Sequence, residues 1–490
     1  MPRVPEGARN WLTPTAWVAG ITAALLLIFP TGFPNYDTIY ALVWGRELAH
    51  GHSPDYGAAL PPTPHPLADL LGLITTPIGD GAITVTMIVA YVSLALCGYL
   101  VYRLGTIWFD RWIGIAAAAI VLTRAPYLSN GLRAYVDLPY IALCLGALTI
   151  EAKRPKAGWP VLALLALAGL LRPEAWGFSI AYWIWLVFDF QWSTGRKPVI
   201  RTGNRPVNEM VWLGVLALAA PIVWIAFDAI TTGNPLWSLT GTQSTVETLD
   251  RRTGPVDVVL FGPRALGEVL QWPGMIGAFG GVILGWLYLR RRSALGIAAA
   301  LLALLAFAFL GGAGLAIIAR YTMLAAAILA IFVAVALFGW RLLEPGHPGR
   351  RPWQVFAAIV ALMFVIWLPN QWHLDSRVDT DLTDQGRIEN DLTDLVNAGA
   401  FDPLCGQVAV PNHRAVPRLA FGLEVKPTRI ISASEEGTPK HGYFVEPASS
   451  FVIHNYILDP NDPTRFAVKK PPPGFKEVAR NESWRVYQRC

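Results

Sequence analysis

RRRSALGIAAALLALLAFAFLGGAG, from Arg290 to Gly314, opens on three arginines and then runs from Ala294 to Leu310 without a polar side chain. A run of this kind approaches the ~20 residues that cross a bilayer as helix, and the arginines hold one end at an aqueous face. Similar runs recur at Trp17 to Pro30 and Ala82 to Leu104. Of 490 residues, 54% are apolar and only 15% are charged, where soluble domains carry about 25% charged residues. The mean hydropathy is +0.42. A chain so composed needs lipid as solvent, which excludes a soluble globular protein. The expected fold is a polytopic α-helical membrane protein of about 11 spans, at roughly 11–30, 83–104, 112–123, 134–150, 158–172, 175–190, 210–230, 274–290, 293–311, 314–340 and 353–369. Tryptophans at run ends, among them Trp11, Trp112, Trp159, Trp212 and Trp353, suit an interfacial belt.

The net charge of +5 does not mark a nucleic-acid binder, because the basic residues sit in short loops between apolar runs. Clusters such as Lys153-Arg154, Arg196-Lys197, Arg290-Arg291-Arg292 and Arg350-Arg351 fall on one side, and the longer loops opposite hold only scattered arginines. The positive-inside rule then puts the N-terminus in the cytoplasm and long loops at 31–82 and 231–273 outside. The first run leads into Thr31-Gly32-Phe33-Pro34 without a small-residue cleavage site, so it is expected as the first span.

Residues 1–369 therefore form a membrane domain, and 370–490, polar and proline-rich, a small extracytoplasmic α/β domain. Its expected elements are a helix at 384–398, strands near 407–410, 428–432, 443–445 and 451–457, and a terminal hairpin pairing 475–479 with 484–488. Cys405 and Cys490 bracket this domain as a closing disulfide would, although only distance decides pairing. Cys97 and Cys144 lie inside apolar runs.

Asp37 stands where an apolar face at helical spacing begins, in the first outer loop. A carboxylate there is either a helix cap or a general base for a hydroxyl. Arg133 and Asp137, four apart, suit an intrahelical pair or a polar wall. Arg172 and Glu174 interrupt an apolar stretch, where charges must face a cavity or each other. Arg320 is an arginine at the bundle mouth, suited to a phosphate or to snorkelling. Asp228 is a lone acid that could pair with a cavity arginine, and His65, between Pro64 and Pro66, marks a rigid turn or a substrate contact. Walker loops, zinc spacings and nucleophile elbows are absent from the sequence.

With these residues in view, the chain resembles the polyprenyl-phosphate-sugar-dependent membrane glycosyltransferases of the C-type (GT-C) fold. The likeness runs over roughly residues 10–370. It rests on an acidic residue in a long first outer loop with two short helices, Tyr36-Asp37 to Gly51 and Pro66 to Leu71, on Leu132-Arg133-Ala134-Tyr135-Val136-Asp137-Leu138-Pro139, and on the Arg172-Pro173-Glu174 turn. The resemblance implies a sugar donor on a polyprenyl phosphate, an acceptor that is a glycan, lipid or protein, and contact with membrane lipid. It implies inverting transfer on the outer side, with Asp37 as base, Arg320 at the lipid phosphate, and Arg172, Glu174, Arg133, Asp137, Tyr36 and His65 around the substrates. The family's common form has two adjacent acids in this loop. Here Tyr36 precedes Asp37 and the next acid is Asp55, a poor divalent site. No cofactor is expected with certainty, and a divalent metal stays open. A secondary transporter or lipid flippase using Asp228, Arg172 and Glu174, or a non-catalytic assembly protein, are the alternatives. They separate on whether Asp37 and Arg320 share a cavity.

Overall fold

The computed structural model describes residues 6–191, 199–202, 206–402, 404–458, 467–468 and 470–490. Arg196 and Lys197, invoked above for topology, and the Trp11 side chain lie outside the described residues. At the centre stands the helix Met323–Phe338, buried at every position from Met323 to Ala336. Around it pack the helices Gly81–Trp108, Arg111–Leu122, Pro255–Tyr288, Arg290–Gly312 and the first part of Arg350–Asn397. Between apolar helices in lipid, close backbone approach replaces the hydrophobic effect as the driving contact. Gly281 provides it, since a methyl group there would overlap the Phe332 carbonyl of the central helix.

Helices occupy all eleven places expected to span, yet among the described residues six are long and apolar enough to cross a membrane, or seven if the bent pair Arg111–Leu122 and Ala125–Leu132 is one span. Six or seven of the expected 11 spans are thus long apolar helices, and the others are shorter. The stretch from Trp159 to Val187 shows the reason. It is two helices of 11 and 14 residues, Trp159–Gly169 and Glu174–Val187, broken at Arg172-Pro173. An 11-residue helix rises about 16 Å, half a bilayer core. The segment 231–273, expected outside, is largely helical too, with Trp237–Thr248 and the start of Pro255–Tyr288, which kinks at Gln271. Trp112, Trp159 and Trp212 are exposed as a belt requires, whereas Trp353 is buried and donates its Nε1 to the Ala336 carbonyl (3.1 Å).

The helix Arg350–Asn397, 48 residues long, runs about 72 Å and carries the chain from the bundle into the C-terminal sheet, so position 369/370 lies inside one helix. The sheet has five strands in the order Ile430–Ser432, Val408–Val410, Gly442–Pro447, Trp484–Arg489, Lys476–Arg480. The first three pair in parallel and the last two antiparallel. Cys405 and Cys490 are joined by a disulfide. The strand expected at 451–457 is helical instead. Val452 and Tyr456, four apart, share its buried face, and Ser449 Oγ caps its first turn by accepting from Val452 N (3.5 Å).

Candidate active site

The first outer segment folds back on the bundle as two helices, Tyr36–Ala49 and Pro66–Thr75. They cross where Gly45 and Gly72 let the backbones touch, since a methyl group on either would overlap the other helix. Asn35, and not Asp37, caps the first helix. Its Oδ1 accepts from Asp37 N (2.7 Å) and Thr38 N (3.3 Å), while its Nδ2 donates to the Arg133 carbonyl (2.8 Å). Thr38 Oγ1 donates to the Ala134 carbonyl (2.7 Å). The helix start is thus bolted to the 133–134 turn, and the Asp37 carboxylate is free to look elsewhere. It meets Arg320, whose Nη1 lies 3.3 Å from Asp37 Oδ2, with about a quarter of each side chain exposed (24% and 22%).

Arg320 sits on the short 3-10 turn Ala319–Thr322 that leads into the central helix. Its guanidinium lies over the rings of Tyr135 (5.0 Å) and Tyr321 (5.4 Å). Arg172 also lies over the Tyr321 ring (4.2 Å); it is buried, donating Nη1 to Asp137 Oδ1 (2.5 Å) and both Nη2 and Nε to Glu174 Oε1 (2.6 and 3.0 Å). Two arginine–carboxylate sites therefore share one tyrosine. Asp137 Oδ2 and Glu174 Oε2 remain buried without a hydrogen-bond partner. An orphaned buried acceptor costs about 1–3 kcal/mol, so these two oxygens are poised to accept hydroxyls from a ligand.

These side chains open onto one cavity of about 1360 Å³, whose lining also includes Tyr36, His65, Trp224, Tyr135, His413 and Arg414 and the apolar Leu302, Leu305, Phe309 and Leu310. It exceeds the few hundred to 1,000 Å³ that suit small ligands. Burial holds the Tyr36 hydroxyl well above its ordinary pKa, and Tyr36 donates to the Leu60 carbonyl (2.9 Å). Burial, with the charge of Arg172, pushes His65 down to about 3, which keeps its imidazole neutral. His65 is both a turn residue, preceding the helix Pro66–Thr75, and a cavity residue edge-on to Trp224 (5.8 Å).

Other expected site residues stand elsewhere. Arg133 lies outside the cavity lining and does not pair with Asp137. It ends the helix Ala125–Leu132, Asp137 begins Asp137–Lys153, and Ala134 between them has φ +54°, so the two never share a helix face. Arg133 instead donates Nε to Gln385 Oε1 (3.1 Å) on the long helix. Asp228 lines the cavity, but its carboxylate accepts from Ser238 N and Ser238 Oγ (both 2.8 Å), holding the start of Trp237–Thr248 and pairing with no arginine among the described residues. Asp55 turns away to Gly57 N and Thr428 N (both 3.1 Å). Among the described residues no three His, Cys, Asp or Glu side chains converge as a metal site, and Asp37 is already matched to an arginine. The donor set does not suit a divalent cation. Tyr135, Tyr321, His413 and Arg414 carried no sequence signal that singled them out, except that Tyr321 adjoins Arg320.

No protein-family model and no curated protein matches the chain. Solved structures do. ArnT from Cupriavidus metallidurans, in the form bound to undecaprenyl phosphate, superposes with a TM-score of 0.53 at 15% identity over 98% of both chains. The chain has the GT-C fold. The oligosaccharyltransferase of Archaeoglobus fulgidus, in complex with Zn and sulfate, is similar at a TM-score of 0.51 and 11% identity, over 90% of this chain and 69% of that one. The GT-C fold thus extends over nearly the whole chain at identities that establish architecture alone, and the C-terminal sheet lies within the 98% of the chain matched to ArnT.

Proposed function

We propose that the chain transfers a glycosyl group from a polyprenyl-phosphate donor to an acceptor hydroxyl on the outer side of the membrane, with inversion. One observation carries the reading: Asp37 and Arg320 meet in a large cavity lined by both charged and apolar side chains. A lipid-linked sugar needs both kinds of contact. Undecaprenyl phosphate is the ligand of the ArnT structure, which supports the same class of carrier here. In the proposed step the acceptor oxygen attacks the anomeric carbon as Asp37 takes its proton. The bond from that carbon to the phosphate oxygen breaks, and the phosphate keeps the electron pair. Arg320, loosely held at 3.3 Å, can follow the charge from Asp37, as that carboxylate is protonated, to the departing phosphate. Asp137 Oδ2 and Glu174 Oε2 accept sugar hydroxyls on the rigid wall that Arg172 builds.

In this reading the N-terminus is cytoplasmic, the C-terminal domain is outside, and the shorter helices complete about eleven passes with the long ones. A translocation path through Asp228, Arg172 and Glu174 has less support, because the last two neutralise each other and Asp228 holds a helix start. The test is transfer from a panel of undecaprenyl-phosphate-linked hexoses and pentoses to octyl glycosides by protein in nanodiscs. Transfer by the parent with loss in Asp37→Asn supports the reading, and equal rates in the two proteins overturn it.

A further inference from the structure

The C-terminal domain is not an appendage beside the cavity. The helix Tyr36–Ala49 and the domain share one hydrophobic core, in which Ile39, Leu42 and Val43 join Val416, Leu419 and Ile388. Arg46 locks the two together, donating to the carbonyls of Phe421 and Ala420 (both 2.9 Å) and Val425 (3.3 Å) at the end of the helix Val416–Gly422. Asp55 adds a bond from Thr428 N (3.1 Å).

This docking sets the segment Asn412–Arg414 against the catalytic loop. Asn412 is buried, accepts from Arg414 N (3.2 Å) and donates to the Ile457 carbonyl (2.8 Å), so the turn is rigid. The His413 ring meets the ring of Tyr36, neighbour of Asp37, edge-on at 5.5 Å. Its Nδ1 lies 3.5 Å from Glu435 Oε1, and Glu435 is itself held by Ser432 and by Ser434 Oγ (2.6 Å). The Glu435 carboxylate stands beside the Nδ1 edge as an ion-pair neighbour without a hydrogen bond, which favours this ring orientation and leaves Nε2, with no partner among the described residues, for a ligand. His413 lines the same cavity as Asp37 and Arg320. Part of the apolar lining comes from the helix Arg290–Gly312, whose Leu305 and Phe309 are exposed at the bundle surface and suit an isoprenoid chain. The polar part from the C-terminal domain suits the group that arrives from water.

We propose that His413, oriented by Glu435, binds a hydroxyl of the acceptor, so that the acceptor is presented to Asp37 jointly by the first outer segment and the C-terminal domain. The inference rests on the transfer reading and names the class of acceptor, a hydroxyl-rich compound such as a glycan. The experiment uses the full chain in nanodiscs, with undecaprenyl phosphate as the binding probe and octyl glucoside and octyl mannoside as acceptor probes. His413→Ala should leave undecaprenyl phosphate affinity unchanged and raise the acceptor KM by about tenfold, the worth of one hydrogen bond. His413→Gln, which keeps a hydrogen-bonding group, should recover part of the loss, and it keeps the test sharp if alanine loosens the turn. Glu435→Gln should fall between. An unchanged acceptor KM in His413→Ala, or a parallel loss of undecaprenyl phosphate affinity, would overturn the assignment. An inactive Asp37→Asn beside a fully active His413→Ala would keep the transfer reading and sink this one.

Discussion

Two arginines lie over the ring of Tyr321 and are held in opposite ways. Arg172 is buried, bonded to two carboxylates at 2.5 and 2.6 Å, and its side chain is 8% exposed. Arg320 meets a single carboxylate at 3.3 Å with about a quarter of its surface open to the cavity. Desolvated charges at short range hold each other in one geometry, because separating them strands a charge in low dielectric. A loose, half-open pair can exchange partners at little cost. The first arrangement suits architecture and the second, in the proposed function, is the reactive one, although the residue types are the same.

The largest effect that separates them is kinetic. Asp37→Asn should lower transfer by about 10²–10⁴-fold, the usual worth of general acid–base catalysis, with little change in the melting temperature, since Asn35 and not Asp37 caps the helix. A melting temperature that falls with activity would make Asp37 structural, like Arg172. The converse holds for Arg172→Ala, which strands Asp137 and Glu174 and should destabilise the fold by about 3–5 kcal/mol. A thermal unfolding curve like that of the parent would erase the contrast between the two sites. Arg320→Ala should fall between, weakening undecaprenyl phosphate binding by roughly tenfold as a charge-assisted contact is lost, while its loose ion pair contributes less than about 1 kcal/mol to stability. Native mass spectrometry of the lipid complex checks this, and unaltered retention of the lipid would move the phosphate away from Arg320. The smallest change in activity is expected where the helix Tyr36–Ala49 meets the C-terminal domain. Arg46→Ala removes three hydrogen bonds to carbonyls and should cost about 1–3 kcal/mol. Faster hydrogen exchange should then appear in 412–425 and in 36–49 together. Exchange confined to one of the two segments would show that they do not share a core.

How far the site was legible varies by residue. Arg172 and Glu174 announced themselves as charges inside an apolar stretch, because lipid makes such charges costly unless matched. Asp137 was visible, but its partner was misjudged. Spacing of four suggested Arg133, whereas a left-handed Ala134 splits the two between separate helices. His413 lies 376 positions from Asp37 in a polar segment, where nothing in local composition distinguishes a cavity residue from a surface one.

The sequence by itself determined the solvent of this protein and the places of its helices, because bilayer thickness and the cost of unpaired backbone in lipid leave apolar runs few other outcomes. It also determined the C-terminal hairpin, through alternation and a polar turn, and which charges had to find partners. Only the tertiary structure decided which helices are long enough to cross, which carboxylate each arginine meets, that Asn35 takes the cap and frees Asp37, and that the C-terminal domain helps to wall the cavity. Several of those outcomes depend on contacts far apart in the chain, such as Arg320 with Asp37 and Arg46 with the Phe421 carbonyl. Helical and strand periodicity reports only near neighbours, so such contacts leave no trace in the local pattern from which the helices were read.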